Sequence, residues 1–230
     1  TGSRISPWLQ RRLITEEEVA AAVVAAHPWA KIEKYLQELS WRTYWKGWLE
    51  HHPAVWTRYR EEVDRLRVDP PAGVEAARAG TTGLPGFDDW ARELATTGWL
   101  HNHVRMWFAS IWIFTLRLPW QLGADFFQRH LLDGDAAVNT LSWRWVAGLH
   151  TPGKIYLAQA DNIARYTEGR IDLAGRLADH AEAVVETPAP EAVPMWAQSA
   201  GSMAAPAGLW LHPEDLSVET AGLIDPPPVT

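Results

Sequence analysis

The chain has 230 residues, 47% of them apolar, and its 21 basic side chains against 28 acidic ones leave a net charge of −7. That apolar share points to a packed globule, and the negative balance argues against broad, non-specific attraction to nucleic acid while leaving a local basic patch open. Cysteine is absent, which excludes disulfides and thiolate metal sites.

No charged segment followed by an apolar run opens the chain, so no signal peptide is visible. The apolar, uncharged run over residues 106–116 falls well short of the ~20 residues that span a bilayer. The expectation is a soluble cytoplasmic protein without a membrane partner. Fifteen tryptophans are the outlying number. Their flat faces stack on heterocycles, which hints at an aromatic ligand, although filling a core is the commoner use of such rings.

In chain order, residues 1–12 form a Ser-containing entry to a helical region. Thr15 with Glu16, Glu17 and Glu18 reads as a helix N-cap with a capping-box glutamate, and this helix runs to Ala26 and stops before Pro28. A second helix is predicted from Trp29 to Glu50; its Tyr35, Glu38, Trp41, Arg42, Trp45 and Trp48 recur at three- and four-residue steps. Residues 69–86 read as a Pro/Gly-rich loop. Further helices are predicted over 87–96, ended by Gly98, then over 100–116, 122–132 and 136–147, with Asp133-Gly134-Asp135 turning between the last two. No alternating strand pattern stands out, so the fold class is all-α. After about Arg170 the chain changes character, with Pro188, Pro190, Pro194, Pro206 and Pro226 to Pro228. The expected organisation is therefore a helical domain over 1–170 and a Pro-rich extended arm or tail over 171–230.

Several constellations carry chemistry. Asn102, Arg105 and Met106 share a face of an otherwise apolar helix, where Asn and Arg need either a buried polar network or an anionic ligand. Asp133-Gly134-Asp135 suits capping of the next helix; metal binding lacks further ligands at a suitable spacing, and hydrogen-bond acceptance from a heterocycle and ribose hydroxyls is a third use. Trp41, Trp45 and Trp48 form a stripe of the kind that more often packs a core. Ser3, Arg4 and Ser6 suit phosphate oxygens. His51-His52 and His101/His103 lack the partners a metal site needs and read as surface or packing residues.

The order of these segments carries a resemblance. Ser3-Arg4-Ile5-Ser6-Pro7-Trp8-Leu9, Glu38-Leu39-Ser40-Trp41-Arg42, Thr82-Gly83-Leu84-Pro85-Gly86-Phe87-Asp88 and Gly98-Trp99-Leu100-His101-Asn102 with Arg105-Met106 follow one another. Asp133-Gly134-Asp135, Asn139 and Trp143-Arg144-Trp145 come after them. Over about residues 3–170 this resembles the FAD-binding helical domain of the DNA photolyase/cryptochrome family.

The resemblance implies FAD as cofactor. Ser3, Arg4, Ile5 and Ser6 would cradle its phosphates, and Glu38, Arg42, Trp99, Asn102, Arg105, Asp133, Asp135 and Asn139 would line the pocket. It also implies Arg105 paired to Asp133 beside the flavin ring and Asn139 facing flavin N5. Asn102 and Met106 look like the cyclobutane-dimer branch. Trp41 and Trp145 would hold a flipped dimer and Glu38 would hydrogen-bond it, which makes Glu38, Asn102, Met106 and Asn139 the catalytic set. Trp143 and Trp120 would pass electrons to the flavin, and the family's third, outer ring has no counterpart. The implied activity is blue-light-driven splitting of cyclobutane pyrimidine dimers in DNA, with single strands as an open alternative to duplex. A cryptochrome-like flavin photosensor is the competing implication, and a vestigial domain that binds no flavin is a third. The family's N-terminal antenna domain does not appear in the given sequence, so the expectation is either a fragment of a longer protein or a shortened relative, and Gly2 stands where the phosphate clamp usually has Thr.

Overall fold

The computed structural model describes residues 3–187 and 191–193. Gly2 and the prolines at 188, 190, 194, 206 and 226–228 lie outside the described residues. Within them the chain is helical and contains no strand. It divides into two compact units, one holding residues 3–51 with 192–193, the other residues 52–187 with 191.

The first unit contains α1 (Ser6–Gln10), α2 (Glu16–Ala26) and α3 (Trp29–His51). The expected capping box opens α2: the Thr15 hydroxyl accepts from the Glu18 N–H at 3.1 Å while the Glu18 carboxylate accepts from the Thr15 N–H at 2.7 Å. A cap of this kind contributes about 1 kcal/mol. The helix ends at His27, whose backbone is extended as the following Pro28 demands. Leu9, Ile32 and Trp45 are buried. Val193 pairs with the end of α3, its N–H donating to the His51 carbonyl at 2.7 Å.

The second unit contains α4 (Pro53–Val68), α5 (Val74–Ala79), α6 (Phe87–Thr97), α7 (Asn102–Ser110), α8 (Trp120–His130), α9 (Ala136–Val146) and α10 (Ala160–Tyr166). Helix α4 is missing from the sequence-based expectation. Its exposed face is almost wholly charged, and its apolar stripe is a single residue wide. Val55, Tyr59, Val63 and Leu66 are nevertheless buried at helical steps, and Pro53 stands at a first-turn position where its missing N–H costs nothing. The Pro/Gly-rich loop contains α5, held between the left-handed residues Gly73 and Gly80.

Gly98 ends α6 as expected, in the left-handed region at φ +68°. A Cβ there would stand 2.7 Å from Leu132 Cγ and 3.0 Å from the His130 carbonyl oxygen. The helix expected over 100–116 starts at Asn102 and widens into a π-helical turn over Ile111–Thr115. The one expected from 122 begins at Trp120, directly after Pro119, and stops at His130.

The core of this unit is aromatic. Phe108 stacks on Phe87 with ring centroids 4.3 Å apart and leans on Phe127 at 5.1 Å; Phe127 meets the Trp143 ring edge-on at 5.1 Å. Most of the tryptophan surplus in this unit therefore packs a core. Residues 171–187 contain no helix and run along the unit, burying Leu173 completely. Ala178 N–H donates to Thr115 Oγ1 at 3.1 Å and Val184 N–H to the Ala147 carbonyl at 3.0 Å.

Candidate functional site

The candidate residues fall on both units. In the first, Ser3 and Arg4 are exposed and Ile5 and Ser6 half-buried. Arg4 adopts φ +58°, a left-handed backbone that costs a non-glycine residue on the order of 1 kcal/mol. The Ile5 carbonyl accepts from the N–H groups of Trp8 and Leu9 at 3.0 and 3.1 Å, which starts α1.

On α3, Glu38 and Trp41 stand in solvent. The Glu38 carboxylate is 50% exposed and lies 3.1 Å from the Lys34 ammonium, one turn back. Trp41 is 47% exposed, stacks on Trp45 at 5.4 Å and takes the Tyr44 ring edge-on at 5.3 Å. Arg42, next in sequence, is turned inward: it donates to Gln10 Oε1 at 2.9 Å and lies 3.7 Å from a Glu16 oxygen. Those contacts tie α3 to α1 and α2.

In the second unit, α7 and α9 bring a polar set together. Arg105 forks onto Asp133, Nη1 donating to Oδ2 at 3.0 Å and Nη2 to Oδ1 at 3.1 Å, while Nε donates to the Leu100 carbonyl at 3.0 Å. All three guanidinium edges thus fix one orientation, and the carboxylate is 9% exposed. Gly134 permits the turn, since a Cβ there would come within 2.9 Å of the Gln128 carbonyl oxygen. Gln128 closes it by donating to the Gly134 carbonyl at 2.6 Å, which leaves the buried Gln128 Oε1 without a partner. Asp135 caps α9, accepting from the Val138 N–H at 3.0 Å. One turn on, buried Asn139 donates its amide N–H to the Ala124 carbonyl at 2.8 Å, which orients the side chain. Asn102 opens α7 and is exposed; Trp99 and Met106 are half-buried.

Trp143 is 2% exposed and is clasped by Phe108, Trp112 and Phe127. Gly123 is what lets α8 approach it: a Cβ there would lie 2.3 Å from Trp143 Cη2 and 3.0 Å from Trp112 Cε2. Trp145 is half-buried and stacks on Tyr156 at 5.7 Å. Trp120 is buried against Tyr59.

These residues suit a flavin dinucleotide better than a metal. Asp133, Asp135 and Asn139 are hydrogen-bonding groups held in fixed orientations, as the polar edge of a heterocycle requires. Among the described residues no three His, Cys, Asp or Glu side chains gather as metal ligands.

The family described as the FAD-binding domain of DNA photolyase matches residues 35–171, more than half of the chain. The chain belongs to that family. FAD is the family's cofactor. A deoxyribodipyrimidine photo-lyase of Streptomyces griseus is 42% identical to this photolyase-type domain over 120 residues, covering 52% of the chain and 26% of the relative. One from Escherichia coli is 34% identical over 149 residues, 63% of the chain and 30% of the relative. A crystal structure of a bacterial class III photolyase from Agrobacterium tumefaciens superposes with a TM-score of 0.55 at 28% identity, covering 69% of the chain and 33% of that protein. The photolyase-type domain therefore spans about a third or less of the length of these relatives.

Three features of the domain escaped the sequence reading. Asp125 on α8 is encircled by Arg67 at 2.5 Å, Arg129 at 3.1 Å and Arg78 at 3.7 Å. Tyr59 lies nearby; its burial first, and the Asp125 carboxylate second, push its hydroxyl above the usual tyrosine range. Arg144, only 1% exposed, reaches Glu186 at 2.5 Å. The helical step from Val55 through Tyr59 to Val63 was the signal for burial of Tyr59. Nothing in the sequence pairs Arg144 with residue 186. No helix among the described residues is long and apolar enough to cross a membrane.

Proposed function

We propose that this domain binds FAD and splits cyclobutane pyrimidine dimers in DNA under blue light. The observation that carries the reading is the match between exposure and role. Glu38 and Trp41, the acid and ring assigned to substrate, stand exposed one turn apart on α3. Asp133, Asp135 and Asn139, assigned to the cofactor, are enclosed and fixed by hydrogen bonds. The relatives named as deoxyribodipyrimidine photo-lyases agree with this.

In this reading Ser3, Arg4, Ile5 and Ser6 take the FAD phosphates, Arg42 and Trp99 border the cofactor, and Asn102 contacts it from the start of α7. Arg105 holds Asp133 in one orientation, aimed at the flavin imide, Asp135 accepts from ribose, and Asn139 presents its amide at N5. Reduced flavin, when bound, supplies the electron that opens the dimer. Trp41 and Trp145 stack on the extruded bases, where each ring contributes on the order of 1–3 kcal/mol. Glu38 hydrogen-bonds the dimer, and Met106 excludes water there. The electron lent to the dimer goes back to the flavin once the ring has split, so repair is redox-neutral; Trp143 and Trp120 instead pass electrons to a cofactor that has become oxidised. The net charge of −7 favours a single-stranded substrate, which offers its lesion without the cost of opening a duplex.

The test is reconstitution with FAD, followed by repair of dimer-bearing oligonucleotides under blue light, single- and double-stranded. Expected are a bound-flavin spectrum, light-dependent repair that is faster on single strands, and a loss of repair yield in Glu38→Gln with flavin retained. Flavin binding without repair on either substrate would replace this reading with the photosensor one. The docking of residues 171–187 on the second unit favours that alternative, because it gives the domain a segment through which a light signal could pass.

A further inference from the structure

Three rings in contact lead from buried Trp120 to the surface of the second unit. Trp120, 3% exposed, lies against Tyr59, 5% exposed, with centroids 5.5 Å apart and planes 21° apart. Tyr59 in turn lies against Trp56 at 5.4 Å and 36°. Trp56 is half-buried and reaches solvent, with the Arg60 guanidinium 5.9 Å from its ring centre. At the inner end, Trp112 touches Trp143 at 6.2 Å and donates its indole N–H to the carbonyl of Pro119, the residue before Trp120, at 2.9 Å. These separations are those of rings in contact. Electron tunnelling falls exponentially with distance, so a hole moves far faster along touching rings than across a gap.

We propose that Tyr59 and Trp56, both on α4, carry the electron path outward from Trp120, with Tyr59 as a bridge and Trp56 as the solvent-facing terminal donor. The proposal rests on the reading that Trp143 and Trp120 donate to a bound flavin. One electron leaves Trp143 for the light-excited oxidised cofactor, Trp120 refills Trp143, and Trp56 refills Trp120 through the Tyr59 ring. Trp56, one electron short, gives its indole proton to water. A thiol in solution then returns one electron and one proton to it.

The division of labour between the two residues follows from their surroundings. A tyrosine holds a hole only if its phenolic proton can leave, and burial keeps the Tyr59 hydroxyl firmly protonated. The Asp125 carboxylate nearby is already occupied, accepting from Arg67 and Arg129. Trp56 has water to take its proton, and the Arg60 cation beside it favours the neutral radical over the charged one.

Laser-flash spectroscopy of the FAD-loaded protein tests this with Trp56→Phe, Tyr59→Leu, Tyr59→Phe and Trp120→Phe. The expected result is a neutral tryptophanyl radical in the parent. Its lifetime should fall at least tenfold in Trp56→Phe and Tyr59→Leu, and Tyr59→Phe, which keeps the ring, should stay within about twofold of the parent. Parent-like lifetimes in Trp56→Phe and Tyr59→Leu beside a shortened one in Trp120→Phe would overturn the proposal alone. Parent-like behaviour in Trp120→Phe as well would overturn the reading beneath it.

A flavin-free measurement gives a second check. One-electron oxidation of the apoprotein by azidyl radical should leave oxidation products on Trp56 and, by migration, on buried Trp120, as read by peptide mass spectrometry. Tyr59→Leu should abolish the Trp120 product and spare that on Trp56. Equal Trp120 oxidation with and without the Tyr59 ring would refute the bridge.

Discussion

Replacing Glu186 with alanine removes the one carboxylate bound to a guanidinium that water hardly reaches. The Arg144 side chain is 2% exposed, its Nη1 donates to Glu186 at 2.5 Å, and its Nε and Nη2 have no hydrogen-bond partner among the described residues. Breaking a buried pair from one side typically costs about 3–5 kcal/mol, because the remaining charge is left uncompensated. Glu186 is itself 26% exposed, so water can enter where it stood, and the low end, about 3 kcal/mol, is expected. With a urea slope of roughly 2 kcal/mol/M, the unfolding midpoint should fall by about 1.5 M. The double variant Arg144→Met, Glu186→Leu should recover most of this loss, because removing both charges also removes their desolvation cost. Equilibrium urea unfolding followed by tryptophan fluorescence measures both. A shift below about 0.3 M in Glu186→Ala, or a double variant no more stable than the single one, would refute the reasoning. Amide exchange at Val184, whose N–H is bonded to Ala147, separates local release of residues 171–187 from global unfolding.

Gly123→Ala should destabilise the domain by about 1–3 kcal/mol, because the new methyl meets the Trp143 and Trp112 rings at 2.3 and 3.0 Å and neither buried ring can retreat; thermal unfolding reads the loss. Arg105→Ala should weaken FAD retention about tenfold or more, at about 1.5–3 kcal/mol for the lost charge-assisted fork, whereas Arg65→Ala, on the solvent side of α4, should leave it unchanged. Equal flavin loss in the two variants, measured by equilibrium dialysis, would contradict the site. His101 is held below the ordinary histidine range, by burial first and by His103 second. The unfolded chain therefore binds the proton more readily than the native one, and stability should fall as pH drops below ~6.5 toward the lowered native value. His101→Asn, which keeps a capping acceptor for the His103 N–H, should flatten that part of the pH–stability curve.

The sequence by itself determined the fold class, the family and the ends of several helices. Local signals decided the helix ends: the Thr15–Glu18 box, the left-handed Gly98, and Asp135 as the cap of α9 act over a few residues and need no tertiary context. The order of motifs carried the family and the pairing of Arg105 with Asp133, and the structure holds that fork at 3.0 and 3.1 Å. Other things were decided only by folding. Arg42 turns inward to Gln10 while Trp41, its neighbour, stands in solvent. Tyr59 meets Trp120 across 61 residues of chain, and Arg144 meets Glu186 across 42. Such partners share no periodicity, because burial and contact depend on which helices pack together, and a one-dimensional pattern holds only the faces that helices offer. A charged stretch such as α4 shows this most plainly. Its four buried side chains gain their stabilisation from α8, and without that partner its composition reads as a solvated segment.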